Sequence, residues 1–319
     1  MFRRAKLYFK SIKENAKNFY KINEIHKRIT DDNKGVKMNI AQMQIHLNNQ
    51  KDKIKDLSEV EFQVFSQSGE DGIIQYLVSK LNFEFKTFIE FGVENYIEAN
   101  TRFLFLNNNW SGYIIDGSEN NIKYAEHDVG SYGELYVKAA FINKENINDL
   151  LKIPGFNKEV GILSIDIDGN DYWVWKEINT LNPVVVIAEY NSVFGINTFW
   201  SIPYNKTFVR KKNDKSQLYY GASLLALCDL ANQKGYTFVG CNSKGNNVFF
   251  IRNDKMTDFI DVKTPEQGYV LSKFREARNE NGWITGMNRI EEISGLDIVD
   301  TRTNEMLKID SSKVKYKLK

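Results

Sequence analysis

The feature that most constrains this chain is a strand, helix, strand pattern between residues 87 and 116. Thr87-Phe88-Ile89-Glu90-Phe91 is a short apolar run broken by Gly92, and Gly112-Tyr113-Ile114-Ile115 is a second run that ends on Asp116. Between them, residues 94–107 carry Ile97, Phe103, Leu104 and Leu106 at helical spacing. Two buried strands joined by a helix form the βαβ unit of a parallel sheet. Ligands of such sheets bind beyond the carboxyl ends of the strands, where Glu90, Gly92 and Asp116 fall. A glycine there lets the backbone come close to a ligand, and a carboxylate closing the second strand is placed to take a ribose hydroxyl pair. The stretch predicts a nucleoside site.

The rest of the chain extends that sheet. A polar loop at residues 65–72 leads into a helix that begins at Ile73, ahead of the first strand. Further strands are expected at residues 135–141, 160–167 and 184–189, with helices at 144–151 and 172–178. Residues 190–219 lose all periodicity, which marks a lid or substrate loop. A helix at 221–233 and two strands at 236–239 and 247–251 then predict an antiparallel pair at the sheet edge. The expected fold is α/β: a Rossmann-like, doubly wound, mostly parallel sheet with an antiparallel edge. It occupies residues 61–253, between a helical arm at 1–60 and a polar C-terminal extension at 254–319.

In the arm, Val36, Ile40, Met43, Leu47, Ile54 and Leu57 alternate spacings of four and three, with Gln50 in the seam. This is an a/d heptad pattern, read either as a coiled coil that joins copies through residues 36–60 or as an amphipathic helix packed on its own domain. Residues 1–30 carry nine Lys or Arg against Glu14 and Glu24, and the last seven residues carry four lysines, although the net charge is only +2. The middle of the chain is therefore acidic, which speaks against nucleic acid as partner and leaves at most peripheral contact of the basic ends with anionic lipid. No apolar run reaches the roughly 18 residues of a spanning helix and no signal-peptide core follows the N-terminus, so a cytoplasmic protein is expected. Cys228 and Cys241 are too few for a disulfide framework, and His26, His46 and His127 lie too far apart in sequence to suggest a metal cluster or a triad.

A dinucleotide site needs G-x-G-x-x-G after the first strand. Here Gly92 is followed by VENYIEAN, without a second glycine, which argues against NAD or FAD. The sharpest local signal is Asp166-Ile167-Asp168-Gly169-Asn170-Asp171, which follows the fourth strand. Along an extended strand, Asp166 and Asp168 would share one face about 6.6 Å apart. At an effective dielectric near 20 their repulsion is roughly 2.5 kcal/mol, close to two pKa units. Such a group wants a cation, a shared proton or a hydrogen-bonded substrate. Glu189, ending the next strand, completes the cluster. Three chemistries compete: methyl transfer with Asp166, Asp168 and Glu189 as catalytic carboxylates, a metal-dependent glycosyltransferase using Asp166-Ile167-Asp168 as its D-x-D, and an aspartyl phosphatase, whose D-x-D-G-T is broken by Asn170. Asp168 and Glu189 are the expected ligands of a Mg²⁺ or Mn²⁺ ion. A turn at Asp168-Gly169-Asn170 with Asp171 capping the next helix accompanies any of these.

Several motifs carry a family resemblance. FSQSGEDGI, FIEFGV, ANT, WSGYIIDGS, SIDIDGND, VVVIAEYN and YGASLLALCDLANQKGYTFVGCNSKGNNVFFI resemble the FkbM-like class I S-adenosylmethionine-dependent methyltransferases found with bacterial capsule and lipopolysaccharide genes. The resemblance spans residues 62–252. It implies S-adenosylmethionine as cofactor and O-methylation of a sugar or nucleotide-sugar in surface-polysaccharide synthesis. It implies that Glu90 and Gly92 border the methionine end of the donor, that Asp116, with Gly117 and Ser118, holds the ribose, and that Ala140 and Phe141 flank the adenine. Gln67 and Asp166 join the donor site, and Tyr190, Asn191, Tyr220 and Ser223 are expected to line an acceptor pocket. The rival without catalysis is a coiled-coil assembly protein whose sheet domain has lost its chemistry.

Overall fold

The computed structural model describes residue 21, residues 33–153, 156, 159–273, 278, 279, 282, 283 and 286–317. Its centre is one seven-stranded sheet: β1 (Thr87–Phe91), β2 (Ser111–Asp116), β3 (Leu135–Ala139), β4 (Ile162–Ile165), β5 (Val185–Glu189), β6 (Tyr236–Cys241) and β7 (Asn247–Arg252). The strands lie in the order β3-β2-β1-β4-β5-β7-β6. β1 to β5 are parallel, while β7 runs antiparallel to both β5 and β6. This is a Rossmann-like sheet whose direction of winding reverses at β1, and its last hairpin inserts with β7 beside β5. Register aligns the strand ends: Phe91 pairs with Ile115 and Ile165, and Ile165 with Ala188. Gly92, Asp116, Asp166 and Glu189 therefore emerge along one edge.

Alternation along each strand divides the core into two layers, as expected of a sheet covered on both faces. Ile89, Phe91, Ile115, Leu163, Ile165, Val186, Ala188 and Phe250 point to one face and pack with α5 (Asp171–Glu177) and α6 (Leu224–Gln233). Phe88, Ile114, Ile162, Val185, Ile187 and Phe249 point to the other, against α1 (Glu70–Lys80), α2 (Arg102–Asn108) and α3 (Glu119–Val129). The short α4 (Ile147–Leu150) adds Ile147 to the first layer.

Local structure departs from the sequence reading in three places. Residues 94–101 are a loop, and the helix begins only at Arg102; Glu94 and Tyr96 adopt left-handed backbone (φ 47° and 62°), which a helix excludes. The Glu90 carboxylate fixes this loop by accepting the N–H groups of Asn100 and Thr101 (both 2.9 Å). Residues 119–129, read without a helix, form α3, with Ser118 accepting the N–H of Asn121 at its start. The heptad seam is divided: the helix over residues 33–49 ends before Ile54. Ile54 bridges to Ile260, and Leu57 is buried in the sheet domain. Ala41, Met38 and Ile45 of that helix pack on Phe62, Phe65 and Phe103, while Val36, Ile40, Met43 and Leu47 face outward and exposed. The part of the expected helical arm before residue 33, residue 21 apart, lies outside the described residues.

The aperiodic segment and the C-terminal extension form one lobe. Trp200–Ser201 pairs with Asp297–Asp300, which pairs in turn with Met306–Lys308. Phe194, Trp200, Ile202, Phe208 and Leu218 pack there with Ile290, Ile293, Ile298 and Ile309. Among the described residues, no helix is long and apolar enough to cross a membrane.

Candidate functional site

A cavity of about 1100 Å³ opens at the carboxyl ends of β1, β2, β4 and β5, and the lobe closes its far side. Asp116 ends β2. Its Oδ2 accepts the N–H of Glu94 (2.9 Å), and its Oδ1 accepts the N–H of Ser118 (2.8 Å) and the Nδ2 of Asn121 (3.2 Å). Those three bonds fix the carboxylate and leave one acceptor position, on Oδ2. Gly117, Ala140 and Phe141 continue the same wall. A Cβ on Gly117 would come to 3.6 Å from the Phe141 ring, an ordinary van der Waals contact, so glycine and ring lie side by side on this wall. Phe141 is nearly half exposed. The residues present fit the adenosine end of S-adenosylmethionine. Ser118 caps α3 and lies outside the cavity wall.

Glu90 and Gly92 line the cavity, but both also have structural tasks. Burial lifts the Glu90 carboxyl to about 7, against the pull of its bonds from Thr101 and Asn100. The reason for Gly92 is a correction to the sequence reading. Its φ is +72°, and a Cβ there would stand 1.6 Å from the backbone oxygen of Asp166, so it is the β4 backbone, not a ligand, that demands a glycine. Gln67 reaches the cavity and accepts the Nδ2 of Asn246 (3.1 Å). Beside it, Glu70 Oε1 accepts Asn242 Nδ2 (2.6 Å) and Asn247 Nδ2 (2.8 Å), tying the polar loop to the β6–β7 turn.

The acidic cluster forms, but not as a strand. β4 stops at Ile165, and Asp168 is left-handed (φ 57°). Single carboxylate oxygens of Asp166, Asp168 and Glu189 lie within 4.8 Å of one another. Asp171 is not a cap: it opens α5, and its carboxylate reaches back to the N–H groups of Ile167 (2.8 Å) and Gly169 (2.9 Å), which holds the turn. Burial raises the Asp171 carboxyl to about 6. Burial, then the charges of Asp168 and Asp171, push Asp166 well above the ordinary carboxyl range. Burial, then the charge of Asp166, do the same to Glu189. Each carboxyl is thereby held towards its protonated form.

Sequence reasoning missed the cation of this site. Arg210, from the short helix Arg210–Asn213, bonds Asp168 Oδ1 through Nη1 (2.8 Å), lies 3.8 Å from Glu189 Oε1, and stacks 3.5 Å over the Tyr220 ring. Its Nε donates to the Gln217 carbonyl (2.8 Å). Burial opposes its charge, but Tyr220, Glu189 and Asp168 together hold it protonated. This answers the metal expectation at Asp168 and Glu189. A divalent ion among these oxygens would sit within a few ångströms of a fixed guanidinium, and the guanidinium already supplies the positive charge. The donor set does not fit a resident Mg²⁺ or Mn²⁺ while Arg210 is in place.

Of the four expected acceptor residues, only Tyr220 lines the cavity. Tyr190 is buried in the core, its hydroxyl bonded to the Val270 carbonyl (2.6 Å). Asn191 donates to the carbonyls of Leu218 (2.7 Å) and Tyr220 (3.0 Å). Ser223 caps α6 and bonds the Thr198 carbonyl (2.7 Å). Their polar groups are taken by these backbone carbonyls, and none of the three lies on the cavity wall. His127 lies exposed on α3. Asn170, Phe208 and Arg289 line the cavity instead, and nothing in their spacing announced them.

No family model matches the sequence, and no curated protein matches it. Solved structures share low likeness with it. The N-terminal domain of EvdMO1 with SAH bound is 11% identical over 52% of this chain and 73% of its own, with a TM-score of 0.34. The CMeT domain of the citrinin polyketide synthase is 11% identical over 58% and 52%, with a TM-score of 0.39. A SAM-dependent methyltransferase from Aquifex aeolicus is 12% identical over 57% and 88%, with a TM-score of 0.34.

Proposed function

We propose that this chain is an S-adenosylmethionine-dependent methyltransferase that O-methylates a sugar or nucleotide-sugar. The observation that carries the reading is the placement of Asp116 and the Asp166–Glu189 pair on one cavity: a carboxylate with an open acceptor position at the end of β2, and carboxyls held towards protonation at the ends of β4 and β5. The motifs that resemble FkbM-like methyltransferases fall on the same strand ends. That resemblance also supports a role in surface-polysaccharide synthesis at the cytoplasmic face, and the exposed Val36, Ile40, Met43 and Leu47 support self-association.

When bound, the donor supplies an electrophilic methyl group. The chain's own residues do the rest. Asp166 and Glu189 hold an acceptor hydroxyl by its proton, and whichever of the two is ionised takes that proton as the oxygen is methylated. A carboxylate with a raised pKa is the stronger base for a weakly acidic alcohol. Arg210 keeps the cluster from collapsing to the fully neutral form, in which no base would remain. The glycosyltransferase alternative needs a metal at this cluster, and Arg210 stands against it.

The test is a thermal-shift panel on the purified protein with S-adenosylmethionine, S-adenosylhomocysteine, UDP and GDP, each with and without Mn²⁺. The adenosyl ligands should stabilise the fold without metal, by about 2.7 kcal/mol at a hundred times the dissociation constant. Asp116→Ala should lose that shift while keeping its unliganded melting temperature within a few degrees. Stabilisation by UDP or GDP with Mn²⁺ alone would overturn the assignment.

A further inference from the structure

Two buried oxygens on the cavity wall have no hydrogen-bond donor. They belong to Glu189 and Asn247, cross-strand partners on β5 and β7 that are 8% and 3% exposed and both line the cavity. Glu189 Oε1 faces Arg210 at 3.8 Å, but its Oε2 accepts no hydrogen bond. Asn247 gives its Nδ2 to Glu70 Oε1 (2.8 Å), which sets the orientation of the amide and leaves Oδ1 without a donor. Among the described lining residues, these two alone carry a buried side-chain atom without a partner. The surroundings are acidic. Oxygens of Asp166 and Asp168 lie within 4.8 Å of Glu189, and the described wall holds seven Asp or Glu against three Lys or Arg.

We infer that the acceptor carries a protonated amino group, and that this ammonium docks on Glu189 Oε2 and Asn247 Oδ1 while a hydroxyl beside it meets Asp166. The inference rests on the methyltransferase reading and adds the substrate class to it: a sugar or nucleotide-sugar with a free amine next to the methylated hydroxyl. The physical reason is the match of donors to acceptors. A buried acceptor is costly to leave unmade, and here two from adjacent strands are unmade together. A hydroxyl brings one donor hydrogen, whereas an ammonium brings three and no lone pair. Its charge also offsets the repulsion between neighbouring carboxylates, which a neutral group would leave in place. A protonated amine has no electron pair with which to attack, so it anchors the molecule and the adjacent oxygen receives the methyl group. The hydroxyl proton passes to Asp166, the methyl–sulfur bond breaks as the methyl–oxygen bond forms, and S-adenosylhomocysteine leaves as a neutral thioether. The donor also carries an ammonium, on its methionine end, and the test separates the two sources.

Protein saturated with S-adenosylhomocysteine would be titrated at pH 7 with D-glucosamine, N-acetyl-D-glucosamine and D-glucose, followed by saturation-transfer NMR. Glucosamine, most of whose amine is charged at that pH, should bind at least about tenfold more tightly than either of the others, a difference of about 1.4 kcal/mol. Glu189→Gln, which keeps the shape and removes the charge, should abolish most of that preference, with S-adenosylhomocysteine affinity unchanged as the measure of an intact fold. Asn247→Ala should reduce the preference severalfold, judged by the same control. The comparison of the three sugars on the wild-type protein stands whether or not either variant folds. Equal binding of glucosamine and glucose, or no binding of glucosamine, overturns the inference and leaves the methyltransferase reading standing. Tighter binding of N-acetylglucosamine than of glucosamine also overturns it, because an amide would then be preferred to a cation. So does a loss of S-adenosylhomocysteine affinity in a folded Glu189→Gln variant, which would give the open oxygen to the donor's ammonium. Failure of S-adenosylhomocysteine to bind the wild-type protein overturns both.

Discussion

Arg210→Gln gives the sharpest test of how the acidic cluster is held together. The substitution removes a charge 2.8 Å from Asp168 and 3.8 Å from Glu189. The two losses differ in kind. The Asp168 side chain is 59% exposed, so its share is screened and amounts to about 1 kcal/mol or less. Glu189 is buried, and a unit charge at its distance, with an effective dielectric near 20, is worth about 4 kcal/mol, or about three pKa units. That larger share exists only while Glu189 is ionised. In the folded wild type its pKa lies above the unfolded value, so the folded state binds the extra proton and its stability falls as pH rises through that interval. Without Arg210 the folded pKa rises further, and the decline continues to higher pH. Asp166, Asp168 and Asp171, the other carboxyls that face Glu189, push in the same direction. Melting temperatures of wild type and variant should therefore differ little at pH 5, beyond a constant offset from the lost stacking on Tyr220. The gap should widen at pH 9 by up to about 8 °C, at about 2 °C per kcal/mol for a chain of this size. A gap that does not change with pH would refute the ion pair with Glu189, and with it the argument that Arg210 takes the place of a divalent ion.

Three further outcomes follow from the same contacts. Gly92→Ala places a Cβ against the Asp166 carbonyl at φ +72°, so urea unfolding should show a loss of at least about 3 kcal/mol, or the protein should fail to fold. Glu90 at about 7 and Asp71 and Asp171 at about 6 are all raised above their unfolded values, so the unfolding free energy should fall between pH 4 and pH 7, and Asp166 and Glu189, held well above the ordinary carboxyl range, extend the decline to higher pH; a rise between pH 4 and pH 7 would contradict the buried placement of these acids. EDTA followed by buffer exchange should leave the stabilisation by S-adenosylhomocysteine unchanged in a thermal-shift assay, and its loss would restore the metal at Asp168 and Glu189.

The sheet was legible because its strands are buried on both faces. Phe88 to Phe91, Ile162 to Ile165 and Val185 to Ala188 are nearly continuous apolar runs, and each ends on a charge or a glycine where the chain leaves the core. The carboxylates at those ends were legible for the same reason. What could not be read was anything set by partners distant in sequence. Glu90 ties down Asn100 and Thr101, and this turns an apparent helix into a loop. Tyr190, Asn191 and Ser223 have the chemistry of a sugar site, but carbonyls at 270, 218, 220 and 198 take their polar groups. Arg210 sits in a stretch without periodicity, among other cations, and only the fold brings it to Asp168. The heptad pattern failed as a continuous seam because spacing cannot show that the helix stops at residue 49.

The lobe also bears on how the protein comes into being. Every strand of the main sheet lies between residues 87 and 252, so that sheet can pair as soon as those residues are available. The lobe cannot: Thr301 closes onto the Phe199 carbonyl across 102 residues of chain, and the wall that carries Arg289 depends on that closure. Contacts this distant form late, because the entropy of closing the loop is met before they reward it. The side of the cavity built by the sheet is thus expected to take shape first, and the side built by the lobe last. In the interval the chain would display the apolar faces of Phe194, Trp200 and Ile202, the stretch most exposed to misassembly while the protein is being made.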